Sequence, residues 1–377
     1  MGNVGDLLSL EYGKPLPEAD RVPDGVPAYG ANGILCWSRQ AYRTDPSIIV
    51  GRKGSAGEVT MTEGPFWPTD VTYFVTHDRN QTDLRYIFHL LCWLELPRLA
   101  KGVKPGINRN DVYALSAPCP TLREQQRIAA ILDEAFAGIA KATANVERNI
   151  ASAQELSSKM LDALLCGEQG TRNMALEDAV TDDCTLSYGI VQPGDETPDG
   201  LPIVRPVDIG SRTVGLDGLK RIAPERAAGY RRTTLQGNDL LLCVRGTTGV
   251  LSQAIPELAG ANVTRGLVPI RFRPDVVQQD LGYFLLLSDG VQRQIRKATY
   301  GAALMQINIR DLRRITLTVP PPSRQSTLLA ALEEGTAAAS RLAEGYRKKL
   351  AALSELRTSL LHQAFTGQLT DASVVAA

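Results

Sequence analysis

The chain is written twice, and that repeat limits its architecture more than any other feature. Ile107-Asn108-Arg109-Asn110-Asp111 recurs as Ile307-Asn308-Ile309-Arg310-Asp311, an offset of 200. The same offset carries Gln125 onto Gln325, Leu132 onto Leu332, Leu161 onto Leu361 and Gly167 onto Gly367. Upstream pieces repeat with other offsets, as loops of unequal length require. Leu10-Glu11-Tyr12-Gly13 matches Leu186-Ser187-Tyr188-Gly189 at 176, Asp24-Gly25-Val26-Pro27 matches Asp199-Gly200-Leu201-Pro202 at 175, and Gly54-Ser55-Ala56-Gly57 matches Gly246-Thr247-Thr248-Gly249 at 192. The pieces keep their order, so two copies of one plan follow each other.

Each half has a head and a helix. The heads are rich in β-branched runs, glycine and proline, with strand-like VTYFV (71–75) and GLVPIRF (266–272). Each head ends in a helix-like stretch, Leu84–Leu99 or Leu281–Lys297, and then a glycine-bearing loop. These are mixed α+β heads. After Pro118 and Pro120, Thr121 and Glu124 form a capping box. Ile128, Leu132, Ala135, Ile139, Ala142 and Val146 then make a heptad seam that Gly167 ends. At 1.5 Å per residue this helix is roughly 65 Å long. The second helix starts at Ser323 after three prolines, with a seam of Leu328, Leu332, Ala339, Leu342, Tyr346, Leu350, Leu353 and Leu360, and Gly335 allows a bend. Two such stripes pack best against each other. A head lies between them in sequence, so an antiparallel pair with the heads at opposite ends is expected. The boundaries are 1–120 and 169–322 for the heads (the latter with its linker), 121–168 and 323–369 for the helices, and 370–377 for a tail.

Composition narrows the function. In 377 residues, 41 basic and 41 acidic side chains cancel, which argues against a protein that coats nucleic acid indiscriminately but leaves room for a local basic groove. Six scattered cysteines, no C-x-x-C and three histidines argue against structural zinc, and against a disulfide framework. MGNVGD lacks the regions of a signal peptide, and the apolar stretch Tyr86–Leu96 is too short to span a bilayer. A cytoplasmic chain without a membrane segment is expected. No Walker motif and no N-P-P-[YF] motif occur, and no Ser/His/Asp grouping is arguable, so catalysis is not expected. GRKGSAGEVT (51–60) looks like a phosphate loop, yet Glu58–Thr62 reads as a strand rather than the helix such a loop feeds. Its copy VRGTTGVL (244–251) is altered, as suits two heads of different specificity better than one nucleotide site.

A helical pair that holds two related heads at a fixed distance suits a long, regular ligand such as DNA. The chain resembles the specificity subunits of type I restriction–modification systems. The resemblance rests on GRKGSAG after an apolar strand, on GINRND, on PTLREQQRIAAILDEA (120–135), similar to the family's P-L-x-E-Q-x-x-I-A-x-I-L-D, and on LLHQAFTGQLT (360–370). SRQSTLLAALEE (323–334) has drifted from the signature and lacks the Glu before Gln325. The resemblance implies an α+β fold with two target recognition domains, separated by two long helices in an antiparallel coiled coil. It implies a non-catalytic chain that reads a split, asymmetric sequence in double-stranded DNA. It also implies docking to two copies of an adenine methyltransferase subunit and to restriction and motor subunits. No cofactor is expected in this chain; the partners would use S-adenosylmethionine, ATP and Mg. Two other readings remain open: a coiled-coil scaffold that binds no DNA, and the specificity chain of a modification-only phage-defence complex.

Candidate DNA contacts fall on two surfaces. The glycine loops supply Arg52, Lys53 and Ser55 in head one, and Arg245, Thr247 and Thr248 in head two. The loops before each INxxD motif supply Lys101, Lys104, Asn108 and Arg109, and in head two Arg296, Lys297, Tyr300, Gln306 and Asn308. Asn108 and Asn308 have an equal claim to cap the turn that follows. Trp37 and Trp67 read as packing residues. Gln125, Arg127 and Ile128, with Gln325, are candidate docking residues for the methyltransferase subunits or, alternatively, residues that cap and pack the helices.

Overall fold

The computed structural model describes residues 1–166, 168–302 and 304–369; Gly167, expected to end the first long helix, and the tail 370–377 lie outside them. The chain divides into two compact units. One comprises Met1–Glu147 and the chain from Arg347, the other Arg148–Tyr346. Each unit therefore holds one head, the start or end of the first long helix, and the complementary part of the second.

In the first unit the strands Ser9–Tyr12, Thr72–Thr76, Ser47–Gly51 and Val59–Thr62 form one antiparallel sheet in that spatial order. Ser47–Gly51 is buried along its whole length, which explains its unbroken apolar run. A second sheet orders Arg21–Val22, Gly33–Ser38, Val26–Gly30 and Trp67–Pro68, the last pair parallel. The second unit keeps this plan. Leu240–Cys243 lies between Leu251–Ala254 and Leu267–Ile270, and Leu201–Val204 pairs in parallel with Asn262–Val263. It departs at the sheet edge, where the short strand Thr213–Val214 joins Leu251–Ala254 in parallel. In both heads the entering chain pairs antiparallel with the leaving chain: Gly2–Asn3 with Ser116–Ala117, and Arg172–Ala175 with Thr316–Val319.

The helix-like stretches are broken, contrary to the expectation from sequence. Leu84–Trp93 stops where Glu95 turns left-handed at φ 48° ahead of Pro97, and a 3-10 turn follows over Leu96–Leu99. In head two, Gln279–Leu287 ends at an extended Ser288, whose hydroxyl accepts the Val291 N–H and starts a new helix, Asp289–Ala298.

The long helices span Leu122–Cys166 and Pro322–Phe365. Thr121 accepts the Glu124 N–H with its hydroxyl at 3.4 Å. The second helix begins one residue before the expected Ser323 cap. Pro322 fits the first helical position, because the N–H it lacks would have no partner there. In the first unit Ile128, Ala129 and Leu132 share a core with Ala364 and Phe365, and Phe365 stacks on Trp93 at 5.3 Å. In the second, Leu161 shares a core with Leu332, flanked by Met160, Leu164 and Leu329. Early residues of each helix thus meet late residues of the other, so the pair is antiparallel. Each buried Leu or Ile contributes about 1.5–3 kcal/mol. The seam of the second helix slips by one residue: Ala343 is buried, whereas Leu342 is 48% exposed. Gly335 causes no break; the end of the Met160 side chain occupies the space where a Cβ would stand.

Candidate nucleic-acid interface

The stretch that resembled a phosphate loop is the turn of a β-hairpin. Ser47–Gly51 pairs antiparallel with Val59–Thr62 across it, so no helix follows. Its copy joins Leu240–Cys243 to Leu251–Ala254. The backbone bonds of the two turns correspond one for one. Gly57 N–H donates to the Gly51 carbonyl at 2.7 Å, and Gly249 N–H to Cys243 at 2.9 Å. Ala56 N–H donates to Gly54 and Thr248 N–H to Gly246, at 2.8 and 3.0 Å. The second glycine of each turn is required by its backbone conformation, and in the first turn by space as well. Gly57 and Gly249 have φ near +90° (89° and 91°), and a Cβ on Gly57 would collide with the backbone of Leu96 and Pro97.

The two candidate surfaces are one surface. Gly54 N–H donates to the Pro105 carbonyl at 2.9 Å, and Ile107 N–H to the Arg52 carbonyl at 3.1 Å. In head two Gly246 N–H donates to Met305 at 2.8 Å, and Ile307 N–H to Val244 at 3.0 Å. Thr248 and Thr299 hydroxyls lie 3.1 Å apart across the same seam. Each glycine turn is thus stitched to the loop before the INxxD motif, although the bonded residues lie far apart in sequence.

The side chains on this shared frame differ between heads. In head one Lys53, Ser55 and Lys104 are exposed, and among the described residues neither lysine forms an ion pair. Lys101 is paired with Asp111 at 3.0 Å. Arg52 is held by the Asp70 carbonyl, its Nη2 at 2.6 Å. The guanidinium carbons of Arg52 and Arg109 lie 5.2 and 5.1 Å from the ring centre of Tyr12, which is 48% exposed. In head two Arg245 is half-buried, with an Nε that has no hydrogen-bond partner among the described residues. Thr247, Tyr300 and Lys297 are exposed, Gln306 is half-buried, and Arg296 pairs with Asp289 at 3.2 Å. Burial raises the Tyr188 phenol above its ordinary value and Tyr300 adds to this, whereas Arg265 and Arg245 pull it down. Tyr12 was missed in the sequence because its partners converge only through the sheet; its place in the repeated L-x-Y-G was the available signal.

Asn108 and Asn308 are helix caps. Their side-chain oxygens accept the N–H of Asn110 at 2.9 Å and of Arg310 at 3.1 Å. Trp67 is a packing residue, donating to the Lys14 carbonyl at 3.0 Å and set edge-on to Tyr42.

Three of the four expected docking residues are inaccessible, which corrects that expectation. Gln125 is 1% and Gln325 2% exposed, and Ile128 lies in the core. Both glutamines are consumed by hydrogen bonds inside their own units. Gln125 accepts the Asp83 N–H and donates to the Gln81 and Pro120 carbonyls. Only Arg127 remains exposed.

Comparison with known proteins bears on this arrangement. A family model for the type I restriction modification DNA specificity domain matches residues 6–148, which contain the first glycine turn, its partner loop and the start of the first long helix. The specificity subunit of the EcoBI type I restriction enzyme of Escherichia coli is 24% identical over 388 residues, spanning 92% of this chain and 81% of that protein. Over most of its length the chain is thus similar to a type I specificity subunit, and residues 6–148 match the family's DNA specificity domain. The EcoprrI specificity subunit of the same organism is 26% identical over 138 residues, 36% of this chain and 34% of its own length. The fold of this chain is shared with a chain from a structural study of complex assembly and conformational transition of the type I R-M system (TM-score 0.73, 16% identity, 97% of each chain). It is also shared with the HsdS subunit from Thermoanaerobacter tengcongensis (TM-score 0.53, 17% identity, 97% of this chain and 96% of that one). Among the described residues no helix is long and apolar enough to cross a membrane, and no three His, Cys, Asp or Glu side chains group to hold a metal.

Proposed function

We propose that each head reads one half of a split, non-palindromic sequence in double-stranded DNA, and that the long helices set the unspecified gap. The observation that carries this is the stitched pair of loops, which keeps its backbone bonds in both heads while its side chains change. A shared frame with different occupants suits two readers of different sequence. Lys53, Lys104 and Lys297 would neutralise phosphates, and Arg52, Ser55, Lys101, Arg245, Thr247, Thr248 and Arg296 would line the backbone track. Arg109, Tyr300 and Gln306 are the candidates for base edges; Gln suits adenine and Arg guanine. Asn108 and Asn308 shape the loop from the cap position.

The chain would dock two copies of an adenine methyltransferase subunit, with restriction and motor subunits added for cleavage. The partners would supply S-adenosylmethionine, ATP and Mg chemistry, and the assembly would work in the cytoplasm. Arg127 is the candidate docking residue that the fold leaves exposed. Binding to a duplex carrying the split site, titrated against salt, tests the reading. Affinity is expected to fall linearly with log salt and to collapse when either half-site is scrambled. Equal affinity for scrambled duplexes would refute it.

A further inference from the structure

We propose that Gln125 and Gln325 are positioning residues for gap discrimination: each locks its head to the long helix that follows, and so makes the half-site separation strict. This rests on the two heads being DNA readers.

The two side chains make the same three bonds. Gln125 Oε1 accepts the Asp83 N–H at 2.9 Å, and its Nε2 donates to Gln81 at 3.1 Å and Pro120 at 2.9 Å. Gln325 Oε1 accepts the Gln278 N–H at 2.9 Å, and its Nε2 donates to Val276 at 2.7 Å and Pro320 at 3.1 Å. The partners are all backbone, and side chains at the matched positions differ, such as Gln81 against Val276. In each unit the glutamine joins the N-terminus of a head helix to the N-terminus of a long helix. Asp83 is the residue before Leu84–Trp93, and Gln278 the residue before Gln279–Leu287. An amide alone fits this joint, because it offers one acceptor and two donors. Glutamate lacks the donors, asparagine is a methylene short, and methionine has neither function.

Neighbouring bonds brace the joint. In the first unit Asp133, two helical turns beyond Gln125, takes His89 at 2.8 Å and Arg85 at 3.2 Å. In the second, Gln278 donates to the Ser326 hydroxyl at 2.8 Å. The geometry gives the angle consequence. A helix segment of the first unit from 122 to 147 is about 39 Å long. A swing of about 5° at its start moves its far end by about 3.4 Å, one base-pair rise. A loosened joint would thus admit a neighbouring gap length without touching the residues that read bases.

The test uses the full chain assembled with its methyltransferase subunits, and DNA duplexes whose gap is the native length or one base pair shorter or longer. Gln125→Met and Gln325→Met remove all three bonds, and Gln125→Asn, which keeps the amide but is a methylene short, is a second variant should the methionine forms fail to fold. Methylation of the off-length duplexes relative to the native one is expected to rise about tenfold, which corresponds to about 1.4 kcal/mol, with both half-site sequences unchanged. Folded variants that methylate the native duplex and reject off-length ones as sharply as wild type would overturn the proposal. A lowered melting temperature with gap preference intact would do the same, because it would leave the glutamines only a stabilising role. Failure of the wild-type complex to require both half-sites would instead strike the DNA-reading assignment itself.

Discussion

Single residues of the first head carry separable burdens. Lys53 and Lys104 stand exposed on the stitched loops, so Lys53→Ala and Lys104→Ala are expected to weaken DNA binding evenly across sequences. Each should reduce the salt slope by about one, as read by titration at several salt concentrations; an unchanged slope would remove that lysine from the phosphate track. Gly57→Ala should destabilise the first unit by at least about 1 kcal/mol, because it forces a Cβ into the Pro97 backbone at a left-handed position. Denaturant unfolding measures this. His89 adds a pH dependence. Burial holds its imidazole below the ordinary value of 6.5 in the folded chain, outweighing the hydrogen bond that the ring donates to Asp133. The unfolded chain then takes up the proton first as pH falls. The stability His89 contributes is present above about pH 6.5 and is lost as pH drops through the folded value. His77 is shifted the same way, again chiefly by burial. Wild type should therefore lose more stability than His89→Gln between pH 7 and about 5, and parallel curves would contradict it.

At the level of elements, the repeat revealed most of the architecture, and packing decided the rest. Heads, long helices and hairpin strands follow from patterns written along the chain. The break after Trp93 does not, because it depends on Glu95 adopting a left-handed turn where the 3-10 segment docks. Nor does the burial of Gln125 and Gln325. A polar residue repeated at one position reads equally as a surface contact or as a buried staple, and only the backbone groups around it decide. Tyr12 between Arg52 and Arg109 was hidden for a related reason: the three residues lie on separate elements. Gly335 gives the helix pair a test. Gly335→Ala gains up to about 1 kcal/mol of helix propensity, but in wild type it must displace Met160. The substitution should stabilise more in a Met160→Ala background, and a double-mutant cycle with no coupling would refute the contact. Removing two heptads from each long helix should shorten the methylated gap. An unchanged gap would mean that the helices do not set it.

For the whole molecule, duplication and divergence supply what the proposed reading of an asymmetric target requires. The backbone scaffold of the loops is kept twice, through bonds such as Gly54 to Pro105 and Gly246 to Met305, and the side chains on it are free to differ. Antiparallel pairing inside each unit gives each head the start of one long helix and the end of the other. On the proposed reading specificity is separable: each head would own half of the target, and the helices the gap. The most direct measurement is a methylome map of cells expressing the methyltransferase with a chain whose residues 1–120 come from a relative of different specificity. One half of the methylated sequence should change, while the other half and the gap stay as they were. A map in which both halves change, or neither does, would contradict the two-reader account.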